Sequence, residues 1–257
     1  MRILLPVDGS EHCRNALRFI ASRQALSPEK EATVELLNVQ HSIPEAVINA
    51  LGLDSVRKAS QDEGMKVIDA MREDAGDLDV RAKVEGGEFA PVIVREADHM
   101  DADLIVMGCR GLSAMEGFFV GSVSAKVISL TKRPLLLVRD KIPAGAMRVG
   151  ICVDHSDYAH AAAEFVVNQR EFFGKDAVFG GSHVPEPVET SRQAAGPVMA
   201  VLKGKVGDAI CNYAGEGKLD MLVIGSHGYG NFRAAFMGST AMRITAGCEV
   251  PLLVLKA

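Results

Sequence analysis

Two stretches of this sequence space glycines and hydroxyls in a way that suits a phosphate group. The first runs Gly108-Cys-Arg-Gly111, then nine residues, then Gly121-Ser122; the second runs Gly225-Ser-His-Gly228, nine residues, then Gly238-Ser239. Glycine at a strand end and again three residues on lets the backbone turn with positive φ, and without a Cβ a ligand can approach closely. A Gly-Ser pair that opens a helix presents unpaired N–H groups and the positive end of the helix dipole, both of which favour an anion. One such loop has a plain alternative, in which Ser122 or Ser239 is an N-cap and the glycines only serve turns. Its repetition at one spacing argues for the cradle. Arg110 and His227 share a loop position, either within reach of phosphate or simply exposed turn residues.

Asp8 and Asp154 each close an apolar run and are each followed, two residues on, by a serine, Ser10 or Ser156. At the carboxyl end of a strand such a carboxylate can accept from an exocyclic base amine or a ribose hydroxyl, or it can merely cap the next helix. Competing signatures are missing. There is no G-x-x-x-x-G-K-[ST], no G-x-G-x-x-G after the first apolar run, no H-E-x-x-H and no motif-placed pair of carboxylates. No catalytic residue and no protein-held metal are expected; Mg2+ would arrive with the phosphates.

The elements that must position these loops are legible as a repeat. Met1-Arg-Ile-Leu-Leu-Pro-Val-Asp8 echoes Met147-Arg-Val-Gly-Ile-Cys-Val-Asp154 at an offset of 146, whereas Asp103-Leu-Ile-Val-Met-Gly108 echoes Asp220-Met-Leu-Val-Ile-Gly225 at 117. The second copy has therefore lost 29 residues in between. Short runs rich in Val, Ile and Leu at 3–7, 33–39, 80–84, 104–107 and 135–138 suit buried parallel strands, and helical patterns at 11–24, 53–75, 90–99 and 122–131 separate them. The second copy places strands at 149–153, 177–184, 198–202, 222–224 and 252–255, with no room for a helix between its second and third. Each copy thus reads as an α/β, doubly wound, five-stranded parallel sheet. The units span 1–140 and 147–257.

Composition limits the partners. The chain has 257 residues, 48% of them hydrophobic, and 28 Lys and Arg against 33 Asp and Glu. A net charge of -5 offers no basic face for nucleic acid. No segment approaches the length of a membrane span, and the N-terminus has no signal-peptide pattern, so the cytoplasm is the expected location. Cys13, Cys109, Cys152, Cys211 and Cys248 are scattered and odd in number, which suits free thiols.

Taken together, Pro6-Val-Asp-Gly-Ser10, the G-x-x-G-x9-G-S loop and Pro134-Leu-Leu-Leu-Val138 resemble the universal stress protein family, in tandem form. The resemblance implies strand order 3-2-1-4-5, the adenine nucleotide α-hydrolase-like arrangement, and ATP as the ligand. It implies that Asp8 and the Val39 main chain meet adenine, while Gly108, Gly111, Gly121, Ser122 and Val123 hold ribose and phosphates, with Arg110 nearby. The matching positions are Asp154, Val184, Gly225, Gly228, Gly238, Ser239 and Thr240. It also implies pairing of the copies through their last strands, after Pro134 and Pro251, with a homodimer of whole chains as a further option. His155 stands where the first copy has Gly9, which ranks the second site below the first. The function implied is a nucleotide-dependent stress-response or signalling module; a slow ATPase or other adenine-nucleotide enzyme, or a structural or interaction member that binds nothing, are the alternatives.

Overall fold

The computed structural model describes residues 1–26, 31–109, 121–140, 142–143, 145–152, 157–173, 177–183, 200–201, 206–226 and 237–256. The first half runs β1 (Arg2–Pro6), α1 (Glu11–Leu26), β2 (Thr33–Gln40), α2 (Glu45–Leu51), α3 (Leu53–Asp69), β3 (Asp79–Gly86), α4 (Phe89–His99), β4 (Leu104–Gly108), α5 (Ser122–Leu130) and β5 (Leu135–Val138). The second half follows with β6 (Arg148–Cys152), α6 (Asp157–Asn168), β7 (Val178–His183), β8 (Ala200–Val201), α7 (Val206–Tyr213), β9 (Met221–Gly225), α8 (Ser239–Gly247) and β10 (Leu252–Leu255).

Each expected strand is present, and of the run expected over 198–202 the described residues are Ala200 and Val201, which form β8. The helix expected over 53–75 ends at Asp69 and continues as a short 3-10 turn, Arg72–Ala75. The sequence reading gave no sign of α2. Its seven residues are mostly apolar yet none is buried, and the element is too short for a helical period to register.

All the strands form one sheet in the order β3-β2-β1-β4-β5-β10-β9-β6-β7-β8. Both halves carry the 3-2-1-4-5 order, and every pairing is parallel except the central one, where Leu135, Leu136 and Leu137 of β5 lie antiparallel to Val254, Leu253 and Leu252 of β10. The apolar runs are continuous because both faces are covered. Ile3, Leu5 and Val7 pack under α1 with Ile68 of α3, and the same layer takes in Ala162 and Val166 of α6. Leu4, Ile105, Leu135 and Leu137 face the other way, onto α4 and α5, with Ile210 of α7 and Ile244 of α8 completing that layer.

The halves are also tied by charge. Arg139, just past β5, is buried and donates to the Thr245 carbonyl in the last turn of α8; Lys256, just past β10, donates to the Ser129 carbonyl in the last turn of α5 at 3.0 Å. Each half thus sends a cation to the negative end of the other half's last helix, where the helix dipole favours it. Arg23 of α1, also buried, fastens the linker by donating to the Gly145 and Pro143 carbonyls, both at 2.8 Å.

Candidate functional site

In the first half β1 lies between β2 and β4, with Ile3 against both Val34 and Leu104. The winding reverses at β1, and a ligand of an open α/β sheet sits outside the carboxyl ends of the strands at such a point. The carboxyl ends of β1, β2 and β4 carry Asp8, Val39 and Gly108. The parallel register gathers these sequence-distant residues on one edge of the sheet.

Asp8 is exposed, and its Oδ1 accepts from the Ser10 amide at 2.9 Å and from the Cys13 thiol at 3.1 Å. Partial burial works to raise this carboxyl, but the Ser10 hydroxyl, the Ser10 amide and the Cys13 thiol outweigh it and hold Asp8 below the ordinary aspartate value. Asp8 is therefore ionised at neutral pH. It is not the helix cap. That role falls to Ser10, whose Oγ accepts from the Cys13 amide at 3.4 Å. Burial and the Asp8 charge push the Cys13 thiol up to about 12, which leaves it an inert donor.

Between Asp8 and α1, Gly9 adopts φ +80°, a conformation that side chains resist. Val39 is buried, and beside it stands a residue that the sequence reading passed over. Asn38 is 4% exposed, donates to the Val7 carbonyl at 2.8 Å and accepts from Gln40 at 2.6 Å. It holds the end of β1 against β2 just before Asp8. The available signal was a lone amide inside an otherwise apolar run.

Gly108 departs from expectation. Its φ is not positive, and no ligand is needed to explain its missing Cβ, because a Cβ there would lie 2.1 Å from the His12 carbonyl oxygen of α1. The glycine lets β4 seat the first turn of α1, so its contribution to a site is to position Asp8's neighbours.

The entrance to α5 is more open. Gly121 is the N-cap, with φ −53° and ψ 146°, and among the described residues no side chain caps the helix. Among the described residues, a Cβ on Gly121 would find nothing nearer than the Ser124 hydroxyl at 4.0 Å. Ser122 is the first helical residue and is exposed, so its expected alternative role as N-cap is overturned. Val123 is half-buried, and buried Ser124 turns inward, its hydroxyl 3.5 Å from the Cys109 thiol. In the second half α8 opens in the same way on Gly238, with φ −58° and ψ 152° and no side-chain cap, followed by exposed Ser239 and Thr240. Gly238 is placed by its own amide, which donates to the Ser226 carbonyl just past Gly225 at 2.9 Å.

Lys126 and Arg243 stand early in these helices, where a cation is disfavoured without an anion nearby. Protein carboxylates fill that need. Lys126 pairs with Glu88 at 3.1 Å, and Arg243 with Asp208 at 2.5 Å. Arg110, Gly111, Asp154, Val184 and Gly228 lie outside the described residues. Among the described residues, no group of three or more His, Cys, Asp or Glu side chains is placed to hold a metal ion, and no helix is long and apolar enough to cross a membrane.

The sequence model of the universal stress protein family matches residues 1–139 and 186–256. The chain belongs to the universal stress protein family. It is 31% identical over 151 residues to universal stress protein YxiE of Bacillus subtilis, covering 54% of this chain and 98% of that protein. A universal stress protein of Thermus aquaticus is 32% identical over 143 residues, covering 53% of this chain and 97% of the relative. One such universal stress protein thus accounts for about half of this chain. Across 99% of its length the chain is similar in fold to the crystal structure of a universal stress protein from Archaeoglobus fulgidus, with a TM-score of 0.72, 21% identity and 98% of that chain covered. The tandem arrangement of the family fold is therefore consistent along the whole molecule.

Proposed function

We propose that this chain is an adenine-nucleotide-binding stress-response module, with ATP as its ligand and a binding edge in each half. The observation that carries the reading is the entrance of α5. A helix whose N-cap is a glycine, with no side-chain cap among the described residues, and which stands at the winding reversal, is suited to an anion, and α8 repeats it. The residues present fit a nucleoside triphosphate. The amides of Ser122 and Val123 would point at phosphate oxygens, the Ser122 hydroxyl would add a donor, and ionised Asp8 would accept from the adenine amine or a ribose hydroxyl. The Val39 main chain would flank the base. Gly111 and Arg110 would close over the phosphates, with Mg2+ accompanying them. In the second half Asp154, Val184, Gly225, Gly228, Gly238, Ser239 and Thr240 would take the same parts.

The reading is of binding over turnover, because the sequence brings no motif-placed catalytic group beside the glycine loops. Its output would be a change in shape or in partner. Calorimetric titration with ATP and Mg2+ tests it, alongside native mass spectrometry of the purified protein for co-purified nucleotide. A carboxylate at a helix N-cap would occupy the phosphate position, and Gly121→Asp should weaken first-half binding by on the order of a hundredfold, with Gly238→Asp acting on the second half. Binding unchanged in both variants would sink the proposal. Sustained release of many phosphates per chain would replace it with an ATPase.

A further inference from the structure

Two of the second half's cysteines meet. The Sγ atoms of Cys211 on α7 and of Cys248, the residue after α8, are 2.9 Å apart, and both are free thiols. Cys211 is partly buried, whereas Cys248 is fully buried. The first half has nothing comparable, because Val94 and Thr131 occupy the corresponding positions.

The two sulfurs are unequal. The Cys248 thiol donates to the Cys211 sulfur, and this bond, helped by Arg243 and Arg139 and opposed by burial and Asp208, holds Cys211 below the ordinary thiol value. The same bond, together with burial and the charge of Cys211 and Cys152, pushes Cys248 far upward. A less buried sulfur held below the ordinary thiol value, beside a fully buried one pushed upward, is the arrangement of an attacking and a resolving thiol. The frame around them is already close-packed. A Cβ on Gly207 of α7 would lie 2.8 Å from the Arg243 side chain of α8, and Asp208 pairs with Arg243 across the same contact. The sulfurs are within about 1 Å of bonding distance.

We propose that Cys211 and Cys248 form a redox-active dithiol that reacts with small hydroperoxides and closes a disulfide between α7 and the end of α8. The Cys211 thiolate attacks one peroxide oxygen; the O–O bond breaks, hydroxide leaves when the oxidant is hydrogen peroxide, and Cys211 becomes a sulfenic acid. The Cys248 sulfur then attacks Cys211, the S–O bond breaks, and the departing hydroxyl leaves as water with the Cys248 proton. The two thiols are oxidised by two electrons in all, and the peroxide is reduced to two molecules of water. The inference stands independently of nucleotide binding.

The test treats the full chain with one equivalent of hydrogen peroxide, blocks remaining thiols with N-ethylmaleimide and maps the peptides by mass spectrometry. The expected product is a cross-linked pair containing Cys211 and Cys248, lighter by two hydrogens and separated by dithiothreitol. Cys248→Ser should instead leave a sulfenic acid on Cys211 that dimedone traps. Both cysteines still alkylated while other thiols oxidise, or Cys152 found in the bond, would overturn the proposal; the wild-type map needs no variant to fold. Dimedone on Cys248 in Cys211→Ser, with Cys211 unlabelled in Cys248→Ser, would overturn the assignment of the attacking sulfur.

Discussion

In the first half α5 opens at Gly121 with φ −53° and ψ 146°, and in the second α8 opens at Gly238 with φ −58° and ψ 152°. The ends of the first two strands match far less well. Gly9, at φ +80°, corresponds to His155, and the register that pairs Pro6 with Leu37 and Cys152 with Ser182 sets His183 at the position of buried Asn38. The family's sequence pattern matches up to residue 139 and resumes only at 186, past β6, α6 and β7. The repeat has therefore kept the helix entrance suited to phosphate and has varied the edge that would meet a base. Two edges of one ancestry need not suit one ligand.

The sharpest test of this comparison concerns Gly108, on which the seating of α1 depends. Its would-be Cβ meets backbone, not a flexible side-chain tip, so Gly108→Val should cost about 3 kcal/mol in urea unfolding. A cost below about 1 kcal/mol would mean that α1 is held elsewhere. Next in size is the pair of cations that link the halves. Arg139 is 1% exposed and Lys256 is partly exposed, so Arg139→Met should destabilise by about 2–3 kcal/mol and Lys256→Met by less than about 1. Equal losses would show that the two caps carry equal weight despite their different burial.

Much of this architecture was legible in the residues. Parallel strands buried on both faces read as unbroken apolar runs, so β1, β4, β5, β9 and β10 were plain, and the echo of Asp103 in Asp220 fixed the second copy. The backbone bonds at those positions repeat as well, with the Asp103 amide donating to Arg2 and the Asp220 amide to Arg148. What periodicity could not reveal was α2, which buries nothing, or the purpose of Gly108, because a close approach between distant segments leaves no local trace. Asn38 was missed because its partner, the Val7 carbonyl, lies on another strand. The approach of Cys211 and Cys248 was hidden for the same reason: 37 residues separate them, and α8 and the β9 strand intervene.

Exchanging the glycine and the histidine tests the ranking of the two halves directly. Gly9→His forces a side chain into φ +80°, with the Val67 methyl of α3 3.4 Å from its Cβ, and should cost about 1–2 kcal/mol while weakening ATP at the first edge. His155→Gly should strengthen the second. If titration finds the second half tighter before any exchange, the ranking is reversed.

The smallest effect concerns acid, and it bears on how the first half alone is fastened. Burial works to raise Asp74, but Arg14 and Arg18, both at 2.8 Å, hold it below its usual value; Lys83 and Arg95 do the same for Glu96 against its burial. A carboxylate with a depressed native pKa stabilises the fold above its unfolded value, and that contribution disappears as pH falls through the native one. Stability should hold above roughly pH 4.5 and decline below it. Because the cationic partners are partly solvated, Asp74→Asn and Glu96→Gln should each cost about 1 kcal/mol at pH 7. Their diagnostic effect is a shallower acid limb in unfolding measured from pH 6 to pH 2, whereas Asp208→Asn in the second half serves as the comparison. An acid limb as steep in both first-half variants as in the wild type would place the acid-sensitive contacts outside α1, α4 and their partners.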